Sequence, residues 1–304
     1  MVERRPGVMP PRPRPPRRTP KAVLWRRRLV ALGVLVLGFL LAWFAVERVG
    51  GNGGARKPDP RTTIAVAPRP FRVVFPEGFT REQMAERVAA VAGIAKRKRG
   101  KKVKLSSSAY LAATRRPRPA LGFGRRPLEG FLFPATYEFT ARTSAAQLTA
   151  KQLVAFRRSW SKVNLGYADS KNLTPYDVLI IASMVEKETL SPDERQLVAA
   201  VIYNRLHERM PLQIDATVRY GLHIPPTESI LQSQLESDNP YNTRKLLGLP
   251  PTPIANPGLA SMQAAAHPAR VNYLYFVRKP DKRHHFFTAS FAEFERYKAE
   301  HGYP

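Results

Sequence analysis

Residues 174–189 read TPYDVLIIASMVEKET, and this stretch decides the architecture of the C-terminal half of the chain. Thr174 is a strong helix N-cap, and Pro175 takes the first helical position, where its missing N–H costs nothing. The VLIIASMV segment is apolar on nearly every face, so the helix predicted over 176–188 forms the buried centre of a domain. The helix ends in charged residues, Glu186-Lys187-Glu188.

Further helices and strands are predicted on both sides of this central helix. On the C-terminal side and just before it, we expect helices over 144–161, 192–209 and 290–300, with strands at 273–277 and 284–288 joined by a KPDKR turn. On the N-terminal side, strand patterns occupy 71–75, 131–133 and 136–139. A Thr80-x-x-Gln83 capping box predicts a helix that runs to about residue 92, and Ser108 is predicted to cap a short helix over 109–114. The sequence therefore predicts an α+β chain with a small α/β module at 71–140, which carries a basic insertion at 95–127. A mainly helical domain over 141–304, closed by a β-hairpin and a helix, follows it.

Residues 29–46, LVALGVLVLGFLLAWFAV, contain no charge and are long enough to span a bilayer as a helix. A buried core helix would carry polar residues on one face, and a cleaved signal peptide would have a shorter apolar region with a small-x-small site after it. We therefore expect a single uncleaved transmembrane helix. Because ten Lys/Arg precede it, the N-terminus is predicted to be cytosolic and residues 47–304 extracytoplasmic, with 47–70 as a Gly/Pro-rich linker.

The net charge of +27 is concentrated in two segments. Residues 1–28 hold ten Lys/Arg and one acid in a Pro-rich sequence, which indicates a disordered cytosolic tail. Residues 96–126 hold twelve Lys/Arg and no acid. This second run is either a solvated loop or a segment that attracts anionic envelope polymers. A nucleic-acid partner is not expected, because the run lies on the far side of the membrane.

Several kinds of site are excluded by composition. The chain has no cysteine, so disulfides, thiolate metal sites and cysteine nucleophiles are ruled out. It has neither a GxxxxGK[ST] nor a GxGxxG motif. His284 and His285 are adjacent and face opposite ways in a strand, and a lone His267 is more typical of a structural hydrogen bond. The sequence predicts no metal site and no cofactor.

The two glutamates at the end of the central helix are the best candidates for acid–base chemistry. At 100° per residue, Glu186 lies over Leu179, Ala182 and Ser183, whereas Glu188 lies across the helix over Ile181 and Met184. A carboxyl group on an apolar stripe tends to have a raised pKa and can act as a general acid near neutrality. The alternative is a buried carboxylate that is held by an arginine such as Arg195 or Arg205. Other polar residues that could complete a site are Asn204, Gln213, Asp215, Tyr220, Tyr241, Asn242 and Thr243, and the stiff loop GLPPTPIANPG at 248–258 suits the wall of a cleft.

Five segments resemble the MltG-like (YceG-like) endolytic murein transglycosylases. They are EGFLFPATYEF (129–139), IASMVEKET (181–189), ERQLVAAVIYNRLHERMPLQIDATVRYGL (194–222), PYNTRKLLGLPPTPIANPG (240–258) and AAAHPARVNYLYFV (264–277), in the order that the family has. The sequence departs from the family pattern at Ala135, Ile214, Ala216 and Arg244. Residues 1–28 and 96–126 are not covered.

The resemblance implies a LysM-like module at 71–140 and a catalytic domain at 141–304. It implies a lyase that cleaves peptidoglycan between N-acetylmuramic acid and N-acetylglucosamine and leaves 1,6-anhydro ends. The family's catalytic glutamate falls on Glu186. By the same match, the substrate-binding or supporting residues are Glu188, Asn204, Gln213, Asp215, Tyr220, Tyr241, Asn242 and Thr243.

A mechanism with one carboxylate is consistent with these residues, because a lytic transglycosylase does not need the second carboxylate of a hydrolase. The expected partners are peptidoglycan glycan strands, the membrane that anchors the chain and, beside it, cell-wall synthases. The alternative function is a non-catalytic peptidoglycan-binding scaffold of the synthesis machinery.

Overall fold

The computed structural model describes residues 70–100, 103–115, 118–119 and 123–303. Contacts along the chain separate Met1–Ala67 from a compact unit, Pro68–Pro304, and every described residue belongs to this second unit. The predicted tail at 1–28, the predicted span at 29–46 and all but the last residue of the linker at 47–70 lie outside the described residues. Within the described part, no helix is long and apolar enough to cross a bilayer.

The described residues form a mixed structure that is mainly helical. The helices are α1 (Arg81–Arg99), α2 (Ser107–Arg115), α3 (Ala145–Trp160), α4 (Gly166–Asp169), α5 (Pro175–Glu188), α6 (Arg195–His207), α7 (Asp215–Gly221), α8 (Gln232–Leu235), α9 (Leu259–Ala266) and α10 (Phe291–Glu300). The strands form antiparallel pairs: β1 (Phe71–Val74) with β4 (Thr136–Phe139), β2 (Arg118–Pro119) with β3 (Arg125–Arg126), and β5 (Tyr275–Arg278) with β6 (His285–Thr288). The predicted C-terminal hairpin and final helix are confirmed.

Local capping signals set the starts of three long helices. Thr80, Ser144 and Thr174 each accept a hydrogen bond from the backbone N–H three residues later, and the side chain at that later position bonds back to the cap. Each pair satisfies two N–H groups that the first helical turn leaves without a partner. The predicted starts near residues 81, 144 and 175 are confirmed for this reason.

Three predictions about the N-terminal half were wrong. Helix α1 does not stop near residue 92 but continues through the basic run to Arg99, because Lys and Arg are good helix formers, Ala95 is buried, and Gly100 ends the helix with a left-handed φ of 59°. The short helix is capped by Ser106, whose Oγ accepts from the Ala109 N–H at 3.2 Å, and not by Ser108.

The third error is the strand expected at 131–133, which is a turn. Gly130 has a φ of 88°, a value that reverses the chain direction, and the Leu132 N–H donates to the Asn256 side chain at 2.8 Å instead of pairing with a strand. A smaller difference concerns 192–209, where a 3-10 turn at Pro192–Glu194 precedes α6 and the helix ends at His207.

Two buried hydrophobic clusters hold the described unit together. The first surrounds α5, whose residues from Val178 to Val185 are all buried, and it includes the ring of Phe131. The second lies among β1, β4, α1, α2 and α3 and includes Leu128 and Leu132. The turn at 128–132 thus supplies side chains to both clusters. The predicted division at residue 140 stays a prediction.

Candidate active site

The C-terminal end of α5 is where the buried central helix reaches the surface. Val185 is fully buried, whereas Glu186 and Glu188 are partly exposed and Lys187 is exposed. The helix ends here because the backbone of Thr189 is extended, with a φ of −102° and a ψ of 126°, while its N–H and hydroxyl both still donate to the Val185 carbonyl. The two predicted carboxylates therefore stand at the edge of the core, one on each side of the helix.

Glu186 faces two loops that come from distant parts of the sequence. One of its carboxylate oxygens accepts a hydrogen bond from the Gly258 N–H at 3.0 Å. On the same side, Gly78 lies so close that a Cβ on it would be 3.5 Å from the Glu186 Cγ. Burial and then the charge of Glu186 raise the pKa of the nearby Glu77 carboxyl, and Arg195 opposes this rise.

The arginine-bound alternative for these carboxylates is not what the structure contains. Arg195 donates through Nε to Ser261 at 3.2 Å, and Arg205 donates to the Pro211, Leu212 and Leu274 carbonyls and to the Gln213 side chain. Among the described residues, neither arginine is within salt-bridge distance of Glu186. Glu186 is thus held by a backbone N–H and keeps part of its surface open.

Glu188, on the other side of the helix, has a different environment. Burial raises the pKa of its carboxyl to about 7, and the charge of Asp215 raises it as well. Arg278, the backbone N–H of Ala216 and Lys187 act in the opposite direction, with smaller effects than burial. Burial thus acts on Glu188 in the direction that is expected for a carboxyl group on an apolar stripe. Near pH 7 this group can both give and take a proton.

The segment that faces Glu188 is rigidly fixed to the neighbouring loop. The Gln213 N–H donates to the Thr243 carbonyl at 2.9 Å, and the Ile214 N–H donates to the Thr243 hydroxyl at 3.1 Å. Asp215 then accepts from Arg244 Nε at 2.7 Å. Gln213 and Asp215 are exposed, and the charge of Asp215 acts on Glu188.

A second polar network lies on the Glu186 side and is centred on Asn256. Its side-chain amide donates to the Phe79 carbonyl at 2.9 Å and to Glu129 at 2.7 Å, and its side-chain oxygen accepts from the Leu132 N–H. Its own backbone carbonyl accepts from the Gly78 N–H at 3.0 Å. Asn256 thereby fixes three separate loops around the end of α5.

Glu129 is a fully buried carboxyl group inside that network. It accepts from the Arg81 N–H at 3.0 and 3.1 Å, from Asn256 and from the Tyr220 hydroxyl at 3.3 Å. Burial raises its pKa to about 7, while the hydrogen bond and charge of Arg81 oppose the rise. Tyr220 in turn packs edge-on against Tyr241 at 5.1 Å between ring centroids, and the Tyr241 hydroxyl bonds to Thr252 at 2.8 Å.

Two cavities lie on another part of the surface. Their volumes are about 630 and 530 Å³, they share Tyr167, Tyr203 and Asn204, and neither is lined by Glu186 or Glu188. Glu188 instead lies within electrostatic range of the exposed Asp215, which pairs with Arg244.

Within the described ranges, no group of three His, Asp or Glu side chains is arranged to hold a metal ion. His285 is buried against Glu194, with 2.7 Å between Nδ1 and Oε2, and His284 pairs with Asp281 at 2.8 Å. The arrangement at the end of α5 offers proton transfer by carboxyl groups.

Comparison with known proteins supplies the identity that the geometry alone does not. The sequence family described as the YceG-like family matches residues 59–300. The chain belongs to the YceG-like family. The family resemblance of the five quoted segments is thereby confirmed.

This YceG-like protein is similar to named proteins and to a solved structure. The endolytic murein transglycosylase of Bacillus subtilis (strain 168) is 40% identical over 157 residues, which cover 51% of this chain and 43% of the relative. That of Streptococcus pneumoniae (strain ATCC BAA-255 / R6) is 31% identical over 251 residues, covering 75% and 44%. The crystal structure of a YceG-like protein from Listeria monocytogenes has a TM-score of 0.63 and 31% identity, and the match covers 75% of this chain and 76% of that one. The chain spans less than half the length of the curated relatives.

The predicted site residues of this YceG-like protein separate into three groups. Glu188 and Asp215 lie within electrostatic range of each other, and Gln213, two residues before Asp215, accepts from Arg205 through its side-chain oxygen. Tyr220 and Tyr241 connect Glu129 to the 248–258 loop. Three others support the backbone. Asn204 donates to the Val271 and Tyr273 carbonyls, Asn242 is fully buried and donates to the Leu235 and Ser237 carbonyls, and the buried Thr243 hydroxyl bonds to the Ile214 N–H and to Thr217. Asn242 has no donor left for a sugar.

Sequence reasoning missed four residues of this site: Glu77, Glu129, Asn256 and Gly258. Glu129 did leave a signal, since it is the only charge within the apolar run from Leu128 to Phe133. Asn256 and Gly258 lie in the loop that was expected to form a wall of the cleft. Glu77 gave no signal, because its place beside Glu186 depends on a contact between residues far apart in sequence.

Proposed function

We propose that this YceG-like protein is a membrane-anchored endolytic murein lytic transglycosylase. It cleaves the bond between N-acetylmuramic acid and N-acetylglucosamine, leaves 1,6-anhydro ends, and so terminates or trims nascent glycan strands. The names of the Bacillus and Streptococcus relatives support the reaction class. The observation in this chain that carries the proposal is Glu188, a partly exposed carboxyl with a pKa raised to about 7.

One carboxyl group is sufficient for this reaction. In its protonated form it donates to the glycosidic oxygen, the bond to the muramic C1 breaks, and an oxocarbenium-like state forms. The carboxylate then takes the proton of the same sugar's C6 hydroxyl, whose oxygen closes onto C1. The proton is returned to the enzyme and no water is consumed. Because the nucleophile is attached to the reacting ring, its effective concentration is high.

The family resemblance gives the catalytic role to Glu186, but the two environments favour Glu188. One carboxylate oxygen of Glu186 already accepts a hydrogen bond from the Gly258 N–H, and the group lies beside the turn at 77–78. Glu188 lies within electrostatic range of the exposed Asp215. We therefore assign proton transfer to Glu188 and the support of the 254–258 loop to Glu186.

The rest of the proposal concerns where the protein lies in the cell and how it is oriented in the membrane. The 29–46 helix anchors the chain with its N-terminus in the cytosol, so that the LysM-like module at 71–140 and the catalytic domain at 141–304 work outside the membrane, next to cell-wall synthases. The amino-acid composition of 29–46 and the ten basic residues before it support this orientation.

The test is product analysis with two matched variants. Purified full chain is incubated with peptidoglycan, and the released or newly formed ends are separated by chromatography and mass spectrometry. We expect anhydro-muramic ends from the wild type, a loss of at least a hundredfold in Glu188→Gln, and a smaller loss in Glu186→Gln. The reverse order would return the role to Glu186. Reducing ends would indicate a hydrolase, and binding without turnover by the wild type would indicate the scaffold function.

A further inference from the structure

Arg244 lies near Glu188, and its ion pair there contributes too little to the stability of the fold to account for its position. Its Nε donates to Asp215 at 2.7 Å, and the two side chains are 36% and 49% exposed. Ion pairs with this much exposure contribute little to folding free energy. Asp215 begins α7, and both its charge and the backbone N–H of the next residue, Ala216, act on the pKa of the Glu188 carboxyl. The Arg244 guanidinium group and the Glu188 carboxyl therefore both lie near the first turn of α7.

The backbone that carries Arg244 is held in one position. Its N–H donates to the buried Asn242 side-chain oxygen at 3.1 Å, and the residue before it, Thr243, is bonded to Gln213 and Ile214. Because Asp215 is bonded to Nε, the guanidinium plane is also oriented. Its two Nη groups have no hydrogen-bond partner among the residues that the structure describes. A pair of Nη groups forms a flat fork that matches a carboxylate.

A second arginine is part of the same surface. Arg278, the last residue of β5, is exposed and lies within electrostatic range of Glu188. Two acids and two arginines therefore form one charged group: Asp215 and Arg278 lie within electrostatic range of Glu188, and Arg244 is bonded to Asp215. When Glu188 carries its proton, the group has one positive charge in excess, which suits an anionic part of a ligand.

We infer that Arg244, with Arg278, forms a subsite for a carboxylate carried by the glycan strand. The inference rests on the proposed function. A muramic residue bears a lactyl carboxyl group, which is free on strands without peptides and amide-linked on strands with peptide stems, and the stems end in carboxylates of their own. Binding that carboxylate beside Glu188 selects which side of the scissile bond the muramic residue occupies. Arg244 is then a specificity residue and does not transfer the proton.

The test compares three sets of defined uncrosslinked strands: strands with peptide stems and free carboxylates, the same strands with amidated carboxylates, and strands without peptides. The purified full chain and its Arg244→Gln, Arg244→Lys and Arg278→Gln variants are assayed for kcat and KM. The control is Lys245→Gln, which removes a neighbouring positive charge that pairs with Asp238.

We expect Arg244→Gln to raise KM about tenfold on the strands that bear the recognised carboxylate, with kcat changed less than threefold. Arg244→Lys recovers part of the loss, Arg278→Gln gives a smaller rise, and Lys245→Gln behaves as the wild type. On amidated strands the wild type should already have a higher KM than on strands with free carboxylates, and Arg244→Gln should not raise that KM further. Comparison of the stem-bearing and peptide-free strands identifies which carboxylate is bound.

An unchanged KM in Arg244→Gln on both carboxylate-bearing substrates, or an equal rise on amidated strands, overturns the inference. Failure of the proposed function looks different, because the wild type then forms no anhydro ends from any substrate. In that case, strand binding is measured with Glu188→Gln alone and combined with Arg244→Gln. Equal affinities of the two proteins for carboxylate-bearing strands would refute the subsite independently of turnover.

Discussion

The backbone N–H of Gly258 donates to the carboxylate of Glu186 across 3.0 Å. This bond joins the first residue before α9 to the end of α5, and the two helices pack closely along their lengths. The Glu77 side chain covers the same glycine, since a Cβ on Gly258 would be 1.9 Å from a Glu77 carboxylate oxygen. A change at Gly258 therefore displaces Glu77 from its place beside Glu186.

Gly258→Ala is expected to leave stability within about 1 kcal/mol of the wild type, because Glu77 is an exposed, flexible side chain that can move away. Gly130→Ala is the matched comparison. Gly130 has a φ of +88°, and its added Cβ would be 2.6 Å from the Pro253 ring, so a loss of about 2–4 kcal/mol is expected. Urea unfolding followed by circular dichroism measures both. Equal losses would show that Glu77 cannot move and that the Glu186 side is rigid.

The pH dependence of activity follows from Glu188. As general acid it must be protonated at the start of the reaction, and its pKa is raised to about 7. We expect kcat/KM to fall as the pH rises through about 7. Asp215→Asn removes a negative charge that raises this pKa, so the fall should move to lower pH by up to about one unit. Full pH–rate profiles measure the shift.

Asp238→Asn is the control for that profile, because Asp238 pairs with Lys245 on the surface and does not contribute to the pKa of Glu188. Its profile should overlay that of the wild type. A shift to higher pH in Asp215→Asn would mean that the group seen in the profile is not Glu188.

The sequence was informative wherever a structural feature depends on neighbouring residues. Thr80, Ser144 and Thr174 cap helices through residues three positions later, and helical periodicity alone placed Glu186 and Glu188 on opposite sides of α5. The periodicity could not indicate which glutamate faces Asp215 or which meets Gly258. Those contacts depend on loops 27 and more residues away, whose paths are set by tertiary packing. The turn at 131–132 has the same origin, since Leu132 bonds to Asn256 rather than to a strand.

Glu129 should make stability depend on pH. Its folded pKa, about 7, is above the ordinary value of 4.5, so its protonated form is the one that folding favours. That contribution is complete below about pH 4.5 and is lost as the pH rises through about 7. The size is about 3 kcal/mol, because the two pKa values differ by about 2.5 and one pKa unit corresponds to about 1.4 kcal/mol. Unfolding of wild type and Glu129→Gln at pH 5 and pH 8 should show a smaller difference between the two pH values in the variant.

Glu129→Ala separates the charge of this residue from its hydrogen bonds. It leaves the Arg81 N–H, the Asn256 amide and the Tyr220 hydroxyl without their acceptor, so about 3 kcal/mol should be lost at pH 5. The loss should be smaller at pH 8, where the wild type itself no longer has the contribution of the protonated carboxyl. A Glu129→Gln variant with the full pH dependence of the wild type would assign that dependence to another group.

The buried pair Glu194 and His285 should fix the C-terminal hairpin, and with it Arg278. Glu194 accepts from the His285 backbone N–H at 2.8 Å and bonds to its Nδ1 at 2.7 Å, and Arg278 is directly opposite His285 in the β5–β6 register. Glu194→Ala leaves both groups buried and unpaired, which should cost about 3–5 kcal/mol. His284→Ala removes an exposed pair with Asp281 and should cost less than about 1 kcal/mol. Urea unfolding gives both values, and hydrogen exchange of residues 275–288 shows whether the hairpin opens first. If the two variants lose equal stability, or if the hairpin stays protected in Glu194→Ala, the pair does not hold Arg278 in place beside Glu188.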